Sequence, residues 1–124
     1  MQTASLLSIM LNSKGYDSIC LTGQQAGIIT DSNFGNAKIL DVLKENILVH
    51  LNQSKIVIVT GFQGNDKLGN ITTLGRGGSD LSAVAIACAL EAAKCEIFSD
   101  IDGIFSADPK VIPNSKLLSE ISYD

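Results

Sequence analysis

The densest chemistry in the sequence lies in six consecutive residues, Gly75-Arg76-Gly77-Gly78-Ser79-Asp80. Glycines let a backbone approach a ligand closely, and the unpaired N–H groups at a helix start attract anions. Arg76 is the only arginine of the chain. Its planar fork suits a carboxylate or a phosphate better than a lysine does. The same six residues also suit a glycine turn in which Ser79 caps a helix and Asp80 complements the helix dipole. Spacing alone leaves both readings open. Two named phosphate motifs are excluded: a dinucleotide fingerprint needs a third glycine where Asp80 stands, and no Gly-x-x-x-x-Gly-Lys-Ser/Thr run occurs.

A second group runs Ser99-Asp100-Ile101-Asp102-Gly103-Ile104-Phe105-Ser106-Ala107-Asp108-Pro109-Lys110. It places three carboxylates and a lysine at predicted strand ends and turns. An EF-hand loop starting at Asp100 is ruled out, because the glycine comes too early and the terminal glutamate is absent. An acidic turn with Asp108-Pro109 ending a strand fits the same residues. His50, the sole histidine, stands among Leu48, Val49 and Leu51 and is expected to be structural. Without it no Ser/His/Asp or Cys/His constellation can be built. Cys20, Cys88 and Cys95 have no neighbouring histidines and make no zinc site. Odd in number and set in apolar stretches, they suggest buried thiols of a reducing compartment. Glu45, Glu91 and Glu120 suit ordinary solvated positions.

The elements that must position these groups follow from periodicity. Leu6, Leu7, Met10 and Leu11 predict a helix over residues 4–13, stopped by Gly15. Residues 18–22 suit a short strand, residues 23–37 a loop or hairpin with a Gly35-Asn36 turn, and residues 43–52 an amphipathic helix. Lys55-Ile56-Val57-Ile58-Val59-Thr60 predicts a buried strand, β-branched and uncharged after its first residue. Residues 61–70 suggest loop and 71–74 a short strand. Residues 79–94 predict a helix whose uncharged stretch 83–90 should be buried on most sides. Residues 95–99 predict a further strand, with 103–106 pairing across Asp100-Ile101-Asp102. This alternation argues an α/β fold, a parallel or mixed sheet with helices on its faces.

Composition sets the outer bounds. The chain has 124 residues, 45% hydrophobic and 18% charged, a globular balance within one domain. A net charge of −4 argues against nucleic acid held through its phosphates. No segment reaches the apolar length of a membrane span, and the first charged side chain, Lys14, follows the N-terminal apolar stretch instead of preceding it. The expected setting is therefore cytoplasmic, with no membrane partner.

Taken in order, several motifs together resemble the aspartokinases (aspartate kinases). They are Lys14-Gly15-Tyr16-Asp17, Gly23-Gln24-Gln25-Ala26-Gly27, Gly35-Asn36-Ala37, the run Lys55 through Gly64, Thr72-Thr73-Leu74-Gly75 leading into Arg76-Gly77-Gly78-Ser79-Asp80, Cys95 through Lys110, and Ile121-Ser122-Tyr123-Asp124. The resemblance spans nearly the whole chain. It implies the amino-acid kinase fold, a three-layer α/β sandwich around a mainly parallel sheet, here incomplete. It implies phosphorylation of L-aspartate by ATP with Mg²⁺, giving 4-phospho-L-aspartate, the entry to lysine, threonine and methionine. Carried over residue by residue, Phe62, Arg76, Gly77, Gly78 and Ser79 fall at aspartate-side positions, and Asp80 and Arg76 at catalytic ones. Ser99, Asp100, Phe105, Ser106, Ala107, Asp108, Pro109 and Lys110 fall at positions that hold ATP.

Some positions depart from the family pattern. Leu81 and Ser82 replace two threonines, which suggests a packing change; Phe105 replaces a tyrosine and Lys110 an arginine. The resemblance further implies that residues 1–124 are a central part of the catalytic domain. The family's N-terminal lysine loop, the remainder of its ATP site and its ACT regulatory domains are expected outside it. The chain alone is then expected to be inactive and prone to association, and the full-length protein to be a homo-oligomer. Two other readings use the same fold: a kinase for glutamate, acetylglutamate or a nucleoside monophosphate, and a non-catalytic interaction module.

Overall fold

In a computed structural model the described residues are 1–122, so Tyr123 and Asp124 of the closing motif lie outside them. Among the described residues the chain forms six strands and three helices. A parallel pair, β1 (Ser18–Leu21) and β4 (Ile56–Val59), aligns Ser18 with Ile56 and Leu21 with Val59. Side chains alternate between the faces of a strand, so Ile19 and Leu21 share one face while Ser18 and Cys20 share the other. On the first face Ile19, Leu21, Val57 and Val59 meet Ala26, Ile47 of α2 (Glu45–Leu51), and Ile86 of α3 (Gly78–Ala89), with Leu90 just beyond it. On the opposite face lies α1 (Gln2–Ser13), where Ser8 Oγ meets Ser18 Oγ at 2.9 Å. Helices thus cover both faces of the pair, in three layers.

The docking of α1 is polar where its periodicity suggested an apolar seam. Its buried residue is Ser8, and the Asn12 amide binds both the Ser18 carbonyl (3.1 Å) and the Ser18 N–H (2.9 Å). Leu6 and Met10 are exposed.

A second, mixed sheet has the strand order β3 (Ile39–Val42), β2 (Ile28–Thr30), β5 (Gln63–Asn65), β6 (Ile71–Thr73). β2 runs parallel to β5, and the outer pairs are antiparallel. The hairpin alternative for residues 23–37 is met in part by β2, which pairs antiparallel with β3 across the Gly35-Asn36 region; β3 itself was not predicted, nor was β5 within the loop 61–70. β5, Gln-Gly-Asn, has no β-forming side chain and takes its conformation from its neighbours. Gly64 has no room for a Cβ, which would lie 2.7 Å from the Ile28 carbonyl oxygen. Around this strand the buried Thr30 and Thr72 hydroxyls meet at 2.6 Å.

Each helix closes with an amide two or three residues past its cap bonded back to a carbonyl five residues earlier: Tyr16 to Leu11, Lys55 to His50 and Ala92 to Ala87. The left-handed residues in these closures are Gly15, Ser54 and Glu91. Only Gly15 carries the usual sequence signature of such an end, which is why α3 was expected to run to residue 94 and instead ends at Ala89.

Beyond α3 the expected strand 95–99 does not form. Those residues are exposed, and among the described residues no strand edge receives their backbone groups, which water can satisfy instead. Residues 103–106 pair elsewhere, through one antiparallel bridge between Phe105 and Leu117. Two further expectations are corrected. Leu81 and Val84 of α3 are about half exposed (54% and 48%), so the helix is covered on one side only, through Gly78, Ser82 and Ile86. Of the three thiols, Cys20 is half-buried, but Cys88 and Cys95 are exposed.

The β5–β6 turn depends on Asp66. Its carboxylate accepts from Asn70 Nδ2, the Asn70 and Leu68 amides and Ser32 Oγ, at 2.9–3.1 Å. The Asn70 side chain is the largest influence holding Asp66 below the usual carboxylate range, the other bonds act the same way, and desolvation opposes them. A lowered folded-state pKa gives stability that is complete above the unfolded value, near 3.8, and is lost as pH falls through the folded one. Urea midpoints should therefore be insensitive to this group from pH 8 to about 5 and fall in the acid range below about 4. In Asp66→Asn the midpoint is lower at neutral pH, and its gap from wild type narrows as the acid is titrated. A gap constant with pH would contradict this.

Candidate active site

The parallel strands deliver their C-terminal ends to one edge, where ligands of α/β folds are usually bound. β1 runs into Thr22-Gly23 and β4 into Thr60-Gly61-Phe62. Thr60 ties the two ends together, its N–H and Oγ1 both donating to the Leu21 carbonyl at 2.9 and 2.8 Å. Gly61 lies against the start of α3, close enough that a Cβ would come within 3.2 Å of Ser79 Cα.

Between β6 and α3 runs the Gly75-Arg76-Gly77-Gly78 loop. Gly77 is the N-cap of α3, with φ +74°, a conformation that favours glycine. Ser79 is therefore not the cap that one sequence reading made it; it is the second residue of the helix. Asp80 is in the first turn and complements the dipole. The Gly78 amide bonds back to the Gly75 carbonyl (3.1 Å) and that of Leu81 to Gly77 (3.1 Å), leaving the Ser79 and Asp80 amides without backbone acceptors. The Arg76 guanidinium and the Asp80 carboxylate are exposed and make no ion pair among the described residues. One loop and one helix end thus offer a free cationic fork, two free N–H donors and a free carboxylate.

Phe62 frames this loop. Its backbone is left-handed at φ +72°, about 1–2 kcal/mol unfavourable for a non-glycine residue. Its carbonyl accepts from Leu74 N–H at 3.0 Å, and its own N–H donates to Ser82 Oγ at 3.1 Å. Its ring covers Gly78, where a Cβ would lie 2.9 Å from Phe62 Cδ2. A cleft of about 370 Å³ opens here, lined by Val57, Val59, Gly61, Ser79, Ser82, Ala83 and Ile86. Phe62, Arg76, Gly77, Gly78, Ser79 and Asp80 are therefore brought together.

The second predicted group surrounds a separate cleft of about 720 Å³, lined by Asp100 through Phe105 and by Ala107, Asp108, Pro109 and Lys110. Ser99 and Ser106 serve the backbone: Ser99 Oγ accepts from Ile101 N–H (3.3 Å) and Ser106 Oγ from Lys116 N–H (3.0 Å). Asp108 Oδ1 accepts from Lys110 N–H at 2.9 Å, and its carbonyl accepts from Val111 and Ile112, so Asp108-Pro109 opens a turn; the strand it was expected to end is only the single bridge at Phe105. His50 is on α2, away from both groups, with Nδ1 buried and unpartnered. Thr60 and Ser82 were missed as site-building residues. Thr60 had no signal beyond ending a strand, and Ser82 stood out only as a departure from the family pattern.

Helices on both faces of a parallel pair, with a glycine loop and a helix N-terminus at the strands' C-terminal edge, are the arrangement in which α/β folds bind small ligands. The sequence matches the amino acid kinase family over residues 1–124, and the chain belongs to that family. Its relatives include the aspartokinase of Bacillus sp. (strain MGA3), 55% identical over 98% of this chain and 30% of the relative, and aspartokinase 2 of Bacillus subtilis (strain 168), 51% identical over the same shares. Among solved structures it resembles E. coli aspartokinase III in complex with aspartate and ADP, with a TM-score of 0.82 and 32% identity over 93% of this chain and 26% of that one. Aspartate kinase from Synechocystis matches with a TM-score of 0.74 and 40% identity over 95% of this chain and 19% of that one. The chain spans about 30% of the length of the curated relatives it matches.

Proposed function

We propose that the protein carrying these residues transfers the γ-phosphoryl group of ATP to the β-carboxylate of L-aspartate, giving 4-phospho-L-aspartate and ADP at the entry to lysine, threonine and methionine. The observation that carries this is the free Arg76 fork beside the free Ser79 and Asp80 amides, in a chain 55% identical to an aspartokinase. In this reading residues 1–124 are a central part of the catalytic domain of a cytoplasmic, homo-oligomeric enzyme.

The chemistry suits the residues. A β-carboxylate with an ordinary pKa of about 3.9 is already ionised at pH 7 and needs no general base, so a histidine away from the site is no obstacle. What the reaction requires is alignment and relief of crowded negative charge. Arg76 grips a carboxylate of aspartate with two parallel N–H bonds. The Ser79 and Asp80 amides donate to anionic oxygens with the positive end of the α3 dipole behind them. Phe62 covers the carbon skeleton. Asp100, Phe105, Ala107, Asp108, Pro109 and Lys110 hold the nucleotide, with Ser99 and Ser106 fixing the backbone of that segment.

Among the described residues no three His, Cys, Asp or Glu side chains gather as a metal cage. Mg²⁺ is commonly held by phosphate oxygens and one or two carboxylates, so in this reading it would arrive with ATP. Asp80 is the free carboxylate at the loop. When bound, the ion neutralises charge between the phosphates.

The test is a coupled ADP-release assay on a full-length enzyme in which these 124 residues replace the matching segment of the Bacillus sp. relative. Turnover should depend on L-aspartate and stay near background with L-glutamate, N-acetylglutamate and nucleoside monophosphates. Preference for one of those would reassign the substrate. No turnover with any would favour a non-catalytic module.

A further inference from the structure

Behind the glycine loop lies Ser82, 2% exposed, whose hydroxyl has two protein partners. It donates to the Gly78 carbonyl at 2.8 Å and accepts from the Phe62 N–H at 3.1 Å. Its proton is committed to the first turn of α3, so it has none to offer a ligand. Its remaining effect is geometric. The hydroxyl is a bridge from the helix start that carries the Ser79 and Asp80 amides to the backbone of a residue in a strained left-handed conformation.

We propose that Ser82 is a positioning residue of the aspartate site, its hydroxyl holding Phe62 over Gly78 and in fixed register with the anion-facing end of α3. The inference rests on the function proposed above and adds a residue to it. A left-handed non-glycine residue persists only where its surroundings over-determine it. Phe62 is held at two points, Leu74 through its carbonyl and Ser82 through its N–H. Removing the second leaves the first, so the sheet edge remains while the Phe62 turn relaxes and its amide loses its partner. The residues around Asp100 to Lys110 line a different cleft, so the loss should fall on aspartate and spare ATP.

In the full-length enzyme carrying these 124 residues, Ser82→Ala should raise the KM for aspartate about tenfold, the scale of one lost hydrogen bond. The KM for ATP should stay within about twofold, because its contacts are elsewhere. Ser82→Thr keeps the hydroxyl, has the adjacent cleft for its methyl, and should restore the aspartate KM. Hydrogen exchange in a peptide covering Phe62 should quicken in Ser82→Ala and return in Ser82→Thr. If Ser82→Ala does not fold, Ser82→Cys, similar in size but a weaker acceptor, carries the same expectation. Equal changes in both KM values, no change in either, or failure of Ser82→Thr to rescue would overturn the positioning role and leave the function standing. A parent enzyme inactive on aspartate would overturn the function, and this inference with it.

Discussion

Arg76→Ala in the full-length enzyme is expected to lower kcat/KM for aspartate by about 10²–10³, the usual cost of removing one preorganised charge-stabilising group from an active site. Arg76 is the sole arginine of the chain, it makes no ion pair among the described residues, and two left-handed glycines flank it. A guanidinium left free on a glycine loop beside unpaired helix amides stabilises nothing within the chain. Its removal should therefore cost activity and little stability. Arg76→Lys retains a point charge but loses the fork, and should recover only part of the loss, with the deficit in aspartate use and not in ATP use. Thermal midpoints of all three proteins should agree within a few degrees. If Arg76→Ala unfolds the enzyme, or leaves aspartate kinetics unchanged, Arg76 is structural.

The second large effect is on folding. Gly23→Val is expected to cost about 3 kcal/mol or more, at or beyond the upper end of ordinary overpacking. A Cβ at Gly23 would lie 2.7 Å from the carbonyl carbon of Gln63 and closer still to its oxygen, and both are backbone atoms that cannot swing aside. Gly23 also anchors the turn after β1: its carbonyl accepts from Ile28 at 2.9 Å, while Thr22 and Gln25 cap each other's amides. The close approach brings the end of β1 against the Phe62-Gln63 turn, so the glycine is a condition of the site as well as of the core. Urea unfolding should show a much lower midpoint or no cooperative transition. A midpoint near that of wild type would mean that the two turns can separate freely.

What was legible in the sequence divides along a physical line. β1, β4 and the starts of the helices were readable because their signals are local: β-branched runs, helical spacing, a glycine after a helix. β5 was not, because Gln63-Gly64-Asn65 carries no strand signal and is held by the strands beside it. The early end of α3 was hidden because Glu91 takes the left-handed position that glycine usually fills. Cys88 and Val84 look like core by hydropathy, yet exposure depends on which face of a helix meets the sheet. At the site, Arg76, Gly77, Gly78, Ser79 and Asp80 were found by composition and order. Phe62 came only through the family resemblance, since its value lies in a backbone conformation and a ring position that no spacing encodes. Ser82 required the hydrogen bonds themselves.

The most direct measurement is chemical identification of the product. A carboxylate that accepts a phosphoryl group becomes an acyl phosphate, which hydroxylamine captures as a hydroxamate. Full-length enzyme bearing these 124 residues, incubated with ATP, Mg²⁺, L-aspartate and hydroxylamine, should accumulate the β-hydroxamate of aspartate in step with ADP, and Arg76→Ala should nearly abolish it. ADP formed without any hydroxamate, or a hydroxamate formed from glutamate in place of aspartate, would contradict the assignment of this loop to aspartate phosphorylation.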